Sequence, residues 1–285
     1  MIDLSWLVLR AASLLLTFQA AGTALFVVGF VHMLGEGGRD LQRLGRRAAL
    51  AATALLIAQL LIEPLHLAGE WSAVGVATLR VFATSTATLA LCTCLVGMTC
   101  VVLALWRRGR PRQALATLGT LLTLGSFLLT GHTTAHRERG LLAPLLFVHL
   151  AIGAFWFGSL WPLRTLAARA APADAARVIA VFSRVAVWLV PLIALAGAAM
   201  ALLLLPEPGA LLRPYGLLLL TKVVLFAMLM GLAALNRQRI LPALARAEAG
   251  AASRLVRSIG LEYLLLCVVF AVTAVMSGAL SPEDG

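Results

Sequence analysis

Long apolar runs alternate with short polar segments along the whole chain. Eight of these runs are long enough, or nearly so, for the ~20 residues with which an α-helix crosses a ~30 Å hydrocarbon core. They are Leu4–Leu34, Ala48–Ala68, Val81–Trp106, Leu115–Thr130, Pro144–Leu163, Val185–Leu205, Tyr215–Leu235 and Ile259–Leu280. The pattern predicts an all-α, polytopic integral membrane protein, with residues 1–285 forming a single domain of eight transmembrane helices in one bundle.

Composition agrees with this prediction, and the arginines give the orientation. Hydrophobic residues make up 61% of the chain, charged residues 12%, and the mean hydropathy is +0.98, which excludes a soluble protein of this length. Basic residues concentrate in alternate segments, namely Gly35–Arg47, Arg107–Arg112, Arg164–Arg184 and Arg237–Arg257. Because basic loops remain cytoplasmic, both termini are predicted to be periplasmic or extracellular. The net charge of +11 thus reflects topology and contact with membrane lipid, and predicts no nucleic-acid partner.

Ionisable side chains inside the apolar runs are the candidate functional residues, since each costs a few kcal/mol at bilayer depth unless it finds a partner. The rise of about 1.5 Å per residue places five of them in the outer third of the membrane: Arg10, Glu63, His66, His149 and Lys222. His132 and His136 lie at the outer mouth above them, and Glu262 lies on the cytoplasmic side.

Two interpretations of this outer group arise from its residue types. Arg10 and Lys222 against Glu63 form an ion-pair cluster that pins the bundle, and Lys222 is predicted to pair with Glu63 because their depths agree within about one helical turn. Neutral imidazole is a common metal ligand. The histidines therefore predict a metal site built around His149 and His132 and completed by His66 or His136. Replacement of His32, at the opposite end of the first helix, is expected to have no effect on metal binding.

Sulfur-bearing residues near mid-depth suggest a second metal-binding element. Cys94 and Met98 are four residues apart and therefore share one helix face, and Cys267 reaches a similar depth on the last helix. Thiolate and thioether ligands select Cu(I), so these side chains form a possible relay. The alternative is that they are ordinary apolar packing residues.

Several motifs, taken together and in order, resemble the copper-resistance protein D (CopD) family of inner-membrane copper proteins. The matching parts are Arg10, Gly131 with His132, His149–Leu163, Phe182–Arg184, Pro214–Lys222, Ala234–Arg237 and Arg257–Glu262. The resemblance implies an eight-helix bundle that moves copper inward across the bacterial cytoplasmic membrane, supplied by a periplasmic copper-binding partner of the CopC type. It supports His132 and His149 most directly and includes Trp156, Lys222 and Glu262 as matching positions.

Three alternatives for function remain open from the sequence. Two histidines from His66, His132 and His149 would also suit a b-type haem in a redox protein, and a copper sensor or assembly factor would bind the ion without moving it. The prediction adopted is a non-enzymatic copper transporter, because motifs of soluble enzymes and nucleotide sites are absent. Copper passage would follow the membrane potential or couple to protons through Glu63 or Glu262. The sequence has no Met-rich outer segment of the kind that gathers Cu(I), so it does not indicate whether the ion is Cu(I) or Cu(II).

Overall fold

The computed structural model describes residues 4–34, 38–70, 73–131, 136–205 and 207–279, and these residues are helical with no β-strand among them. The α-helices are α1 (Leu4–Phe30), α2 (Gly38–Ala68), α3 (Val76–Thr84), α4 (Thr86–Trp106), α5 (Arg110–Ser126), α6 (Arg139–Arg169), α7 (Pro172–Leu204), α8 (Pro214–Leu235), α9 (Leu241–Ala245) and α10 (Ala251–Ala279). Short 3₁₀ segments follow α1 at Val31–Met33 and α5 at Phe127–Leu129, and a third, Pro208–Leu212, precedes α8. A π-helical turn, Asn236–Ile240, joins α8 to α9.

Seven helical segments in the described part of the chain are long and apolar enough to cross a membrane. They are Ser5–Met33, Gly38–Ala68, Thr86–Trp106, Arg139–Arg169, Pro172–Leu204, Pro214–Ala245 and Ala251–Ser277. The prediction of a polytopic helical membrane protein is therefore confirmed. The remaining predicted run, Leu115–Thr130, falls in α5, which has 17 residues and begins with charged side chains.

The α5 helix nevertheless runs back along α4 as an antiparallel partner. Gly97 and Gly119 let the two backbones touch, because a Cβ on Gly119 would lie 2.7 Å from the Gly97 carbonyl oxygen. A Cβ on Gly97 would lie 2.4 Å from Oγ1 of Thr123. Small residues at such crossings are typical of helix packing in membranes.

The third apolar run differs from its predicted bounds. The hydroxyl of Ser85 accepts a hydrogen bond from the Thr88 backbone N–H at 3.1 Å, and the extended backbone of Ser85 separates α3 from α4. Serine at an N-cap satisfies a backbone donor that the helix itself leaves free. The spanning segment therefore begins at Thr86, and the predicted start at Val81 is wrong because that residue belongs to the short α3.

Helix α1 lies at the centre of the bundle. One buried cluster packs it against α2, α4 and α5, and a second, which also contains residues of α7 and α8, packs it against α6 and α10. At the α1–α6 crossing a Cβ on Gly22 would lie 1.8 Å from the Ala154 carbonyl oxygen. Beside this contact the Gly158 carbonyl accepts hydrogen bonds from Gln19 Nε2 at 3.2 Å and from Thr23 Oγ1 at 2.9 Å.

The arginine-rich segments meet at one end of the bundle. Arg237 Nη1 donates to the Ser183 carbonyl at 3.1 Å, which joins the fourth basic segment to the third. A cavity of about 380 Å³ is lined by arginines of the first and second segments, and one of about 680 Å³ by charged residues of the first and third. These lining side chains include Arg39, Arg108 and Arg112 in the smaller cavity, and Arg39, Asp40, Arg43, Arg169, Asp174 and Arg177 in the larger.

Candidate functional site

His149 lies on α6 and faces α7. Its Nδ1 is 3.2 Å from the Ile193 carbonyl oxygen, and because a carbonyl only accepts, Nδ1 carries the proton of the neutral ring. This tautomer leaves the lone pair on Nε2 free, which is the arrangement that metal-binding histidines usually adopt. Gly197 leaves room for the ring, since a Cβ there would lie 3.3 Å from His149 Cε1.

Lys222 brings a positive charge to the same place. It is half-buried on α8, and its charge lies within electrostatic range of the His149 ring. Helices α6, α7 and α8 thus contribute His149, the Ile193 carbonyl and Lys222 to one polar group within the membrane. No ion pair joins Lys222 to an acidic residue in the ranges the structure describes.

Glu63 and His66 form a separate group with α1. Glu63 interacts electrostatically with His66 and Arg10, and the exposed His66 ring stacks on Trp6 with centroids 4.7 Å apart. Helix α2 packs on α1, α3 and α4, whereas α8 packs chiefly on α10. The expected Glu63–Lys222 ion pair is accordingly not formed between these two described residues, because matched depth does not place them on facing helices.

Among the remaining histidines, the two that the structure describes occupy different settings. Nδ1 of His136 accepts a hydrogen bond from the Glu138 backbone N–H at 3.1 Å in the turn before α6. His132 lies outside the described residues. His32 is exposed in the 3₁₀ segment after α1 and lines the larger arginine cavity. Within the described ranges no three His, Cys, Asp or Glu residues are grouped to hold a metal, so the four-histidine site stays a prediction.

The predicted sulfur residues divide between the two packing clusters. Cys94 and Met98 are buried beside α1 and α2, and the Cys94 thiol hydrogen-bonds to Ser126 on α5. Cys267 is half-buried on α10 and packs against the other cluster. The relay of Cys94, Met98 and Cys267 remains a prediction, and the structure assigns its members to opposite sides of α1.

A further polar group surrounds Glu262 in the first half of α10. Glu262 is 4% exposed, and its carboxylate accepts hydrogen bonds from Asn236 Nδ2 and from the Trp156 side chain. Asn236 is the first residue of the π-helical turn, and its Oδ1 is buried with no partner. One turn before Glu262 on α10, the buried hydroxyl of Ser258 also has no partner.

Sequence reasoning found Trp156 only as a motif position and Glu262 as an ionisable residue within an apolar run, and it did not single out Asn236 or Ser258. Asn236 lies in the quoted motif Ala234–Arg237, so the signal was present. Its contact with Glu262 depends on the π-helical turn, which adds a residue to one turn of the helix and rotates the residues beyond it. That local change has no signature in the hydrophobic pattern.

The C-terminal part of the chain is similar to a known family. Residues 176–276 match the family model described as copper resistance protein D. This region belongs to that family. The CopD match extends from the first turns of α7 through α8, the π-helical turn and α9 to the end of α10, and it contains Lys222, Asn236 and Glu262. No curated protein and no solved structure matches the chain.

The match confirms the family suggested by the motifs and connects the chain to copper resistance. His149 and Trp156 lie outside the matched residues, on α6, but their side chains contact the matched region. His149 meets Ile193 and Trp156 meets Glu262. Both polar groups therefore lie at the boundary between α6 and the CopD region.

Proposed function

We propose that this protein carries copper inward across the bacterial cytoplasmic membrane and catalyses no reaction. The CopD match and the membrane helices support a copper-related membrane protein. The single observation that carries the transport proposal is the His149 tautomer, whose Nδ1 is tied to a carbonyl while Nε2 is free. Imidazole suits copper in protein sites, so the proposal extends to Cu(I) and Cu(II).

In this proposal copper arrives from the periplasmic side, delivered by a copper-binding partner of the CopC type. His149 takes the ion together with His132, and His66 or His136 completes the coordination. Lys222 contributes a positive charge to the electrostatic potential at the site, and this charge repels an incoming copper ion. Eight membrane crossings with α5 as the fourth would place both termini in the periplasm, in keeping with the single arginine-rich end of the bundle.

Metal analysis and copper accumulation of matched histidine variants test the proposal. His149→Ala and the double variant His132→Ala/His149→Ala are expected to lose bound copper and copper accumulation. His32→Ala, at the opposite end of α1, is expected to retain both. Full copper stoichiometry in the double variant would overturn the site. A strong Soret band in the purified wild-type protein would instead establish the haem alternative.

A further inference from the structure

Glu262 is enclosed without a counter-ion. The ion pairs among described residues are all on exposed side chains, Arg43–Asp40, Arg177–Asp174 and Glu248 with Arg246 and Arg254. The two groups that bond to Glu262, the Asn236 amide and the Trp156 indole, are neutral donors. Carboxyl groups inside membranes pair with a cation, or they mark proton or ion pathways.

The hydrogen-bonding groups around Glu262 serve both protonation states. An ionised carboxylate accepts only, and Asn236 Nδ2 and the Trp156 N–H supply donors for it. A protonated carboxyl must also donate, and Asn236 Oδ1, on the amide that contacts it, is a buried acceptor without a partner. Ser258 Oγ, four residues before Glu262 on α10, is a second unpartnered buried oxygen. Rotation of the Asn236 amide exchanges Nδ2 for Oδ1, so the same residue suits the acid and its conjugate base.

No ion pair among the described residues holds Glu262 in one charge state. The other titratable and charged groups on the elements packed against it are Arg10 on α1, Arg139, His149, Arg164 and Arg169 on α6, Tyr215 and Lys222 on α8, Arg237 and Arg239 in the π-helical turn, and Arg254, Arg257, Tyr263 and Cys267 on α10 itself. Arg164 lies over the Trp161 ring at 5.4 Å, and Arg237 donates to Ser183. Lys222 is 14 residues before Asn236, about 21 Å along the helix axis.

The π-helical turn adds a conformational element to this site. Such turns occur mostly as single insertions in α-helices, frequently at functional sites. Here Asn236 begins the turn, and the same helix carries Lys222 toward the His149 group. Helix α8 thus connects the polar group at Glu262 to the proposed copper site without any intervening break.

We propose that Glu262, with Asn236 as its adaptable hydrogen-bond partner, is a proton-binding site that couples copper passage to proton movement. This inference rests on the proposed copper transport. One proton from the aqueous phase adds to the Glu262 carboxylate to give the neutral acid, and the same proton leaves when the carboxylate is restored. Copper itself does not bind there, since Glu262 and Asn236 offer no second anionic ligand.

The test uses the full chain in lipid vesicles, with infrared difference spectra and copper uptake measured across a pH series. The wild-type protein should show a carboxyl C=O band that titrates with pH. Glu262→Gln should lose that band, Glu262→Asp should restore one, and the exposed control Glu248→Gln should keep it. Asn236→Leu should move the titration midpoint of the Glu262 band. This second variant keeps the test decisive if Glu262→Gln folds poorly.

Copper uptake gives the second readout. Wild-type uptake should vary with pH by up to about tenfold per pH unit, the limit for one coupled proton, and Glu262→Gln uptake should be independent of pH. A titrating band that persists in Glu262→Gln, or uptake in that variant with unchanged pH dependence, would overturn the coupling. A Glu262 band in a wild-type protein that moves no copper would support the proton site and overturn the transport proposal.

Discussion

The orientation of the His149 ring depends on the space that Gly197 leaves on α7. A Cβ at Gly197 would lie 3.3 Å from Cε1 and 3.5 Å from Nδ1 of His149, so an added methyl group displaces the ring by a few tenths of an ångström. Residues that orient a metal ligand typically change metal affinity by 10- to 100-fold when altered. We expect Gly197→Ala to weaken copper binding about tenfold, as measured by competition titration.

The matched control for this change lies in the same interface. A Cβ on Gly153 would meet only Ile193 Cδ1, at 3.9 Å, which is ordinary van der Waals contact. Gly153→Ala should therefore leave copper affinity unchanged. Equal affinity losses in the two variants would show that helix packing, rather than the orientation of His149, controls binding.

Lys222 and Glu63 should behave as independent residues. Lys222 acts on His149, whereas Glu63 interacts with Arg10 and His66. Unconnected sites change the free energy of unfolding additively within about 0.5 kcal/mol. The double variant Lys222→Met/Glu63→Gln should thus equal the sum of its single variants in thermal unfolding, and only Lys222→Met should alter copper binding. If Glu63→Gln instead rescued Lys222→Met, that result would support the Glu63–Lys222 ion pair expected from depth alone.

These two residues also show what sequence predicts about a site and what it does not. Counting residues from the end of a helix gives depth, and depth grouped His149 with Lys222 in the outer third, which stays a prediction. The same count grouped Glu63 with them, although its helix packs on α1, α3 and α4. The position of a side chain around the bundle depends on helix order and rotation, which a single sequence does not encode in its hydrophobic pattern.

At the scale of elements, α1 and α6 cross with their backbones in direct contact. Gly22 and Gly158 meet there, and a Cβ on Gly158 would lie 2.4 Å from the Gly22 Cα atom. Backbone atoms cannot move aside as side-chain ends do. We expect Gly22→Ala to lower the free energy of unfolding by about 3 kcal/mol or more, as measured by denaturation in detergent micelles.

Gly29 supplies the control on the same helix, because a Cβ there meets no atom within 4 Å. Gly29→Ala should change stability by less than about 1 kcal/mol, with a gain in helix propensity as its main effect. A small effect at both positions would mean that α1 and α6 are further apart in the membrane than in this structure.

Helix type was predictable, whereas helix ends were not, and seven of the eight predicted spans are long and apolar enough to cross a membrane in the part of the chain that the structure describes. The apolar runs identified each long helix, but α2 begins at Gly38 and α6 ends at Arg169, beyond the predicted Ala48 and Leu163. These extensions are polar and basic, so hydrophobicity does not detect them. A helix of 31 residues is about 46 Å long and therefore continues out of the hydrocarbon core into the aqueous interface.

At the scale of the whole molecule, the orientation in the membrane is still a prediction, and the outer location of His149 depends on it. The basic segments share one end of the bundle, which predicts that this end is cytoplasmic. A periplasm-specific reporter fused after Gly285 should be active, and the same reporter inserted in the exposed turn at Gly250 should be inactive. Activity of a cytoplasm-specific reporter at Gly285 would contradict this orientation and remove the outer location of His149.

The hydrogen bonds from α1 to Gly158 have a consequence for biosynthesis. Helix α1 leaves the ribosome before α6, and the carbonyl that accepts from Gln19 and Thr23 is synthesised 135 residues after Thr23. Until α6 is inserted, Gln19 and Thr23 bond only to each other and face lipid or the insertion machinery, where polar groups with incomplete hydrogen bonding are costly. The packing of α1 is therefore completed only after α6 is inserted. In a nascent chain stopped after α5, the side of α1 that packs on α6 and α10 would remain without its partners.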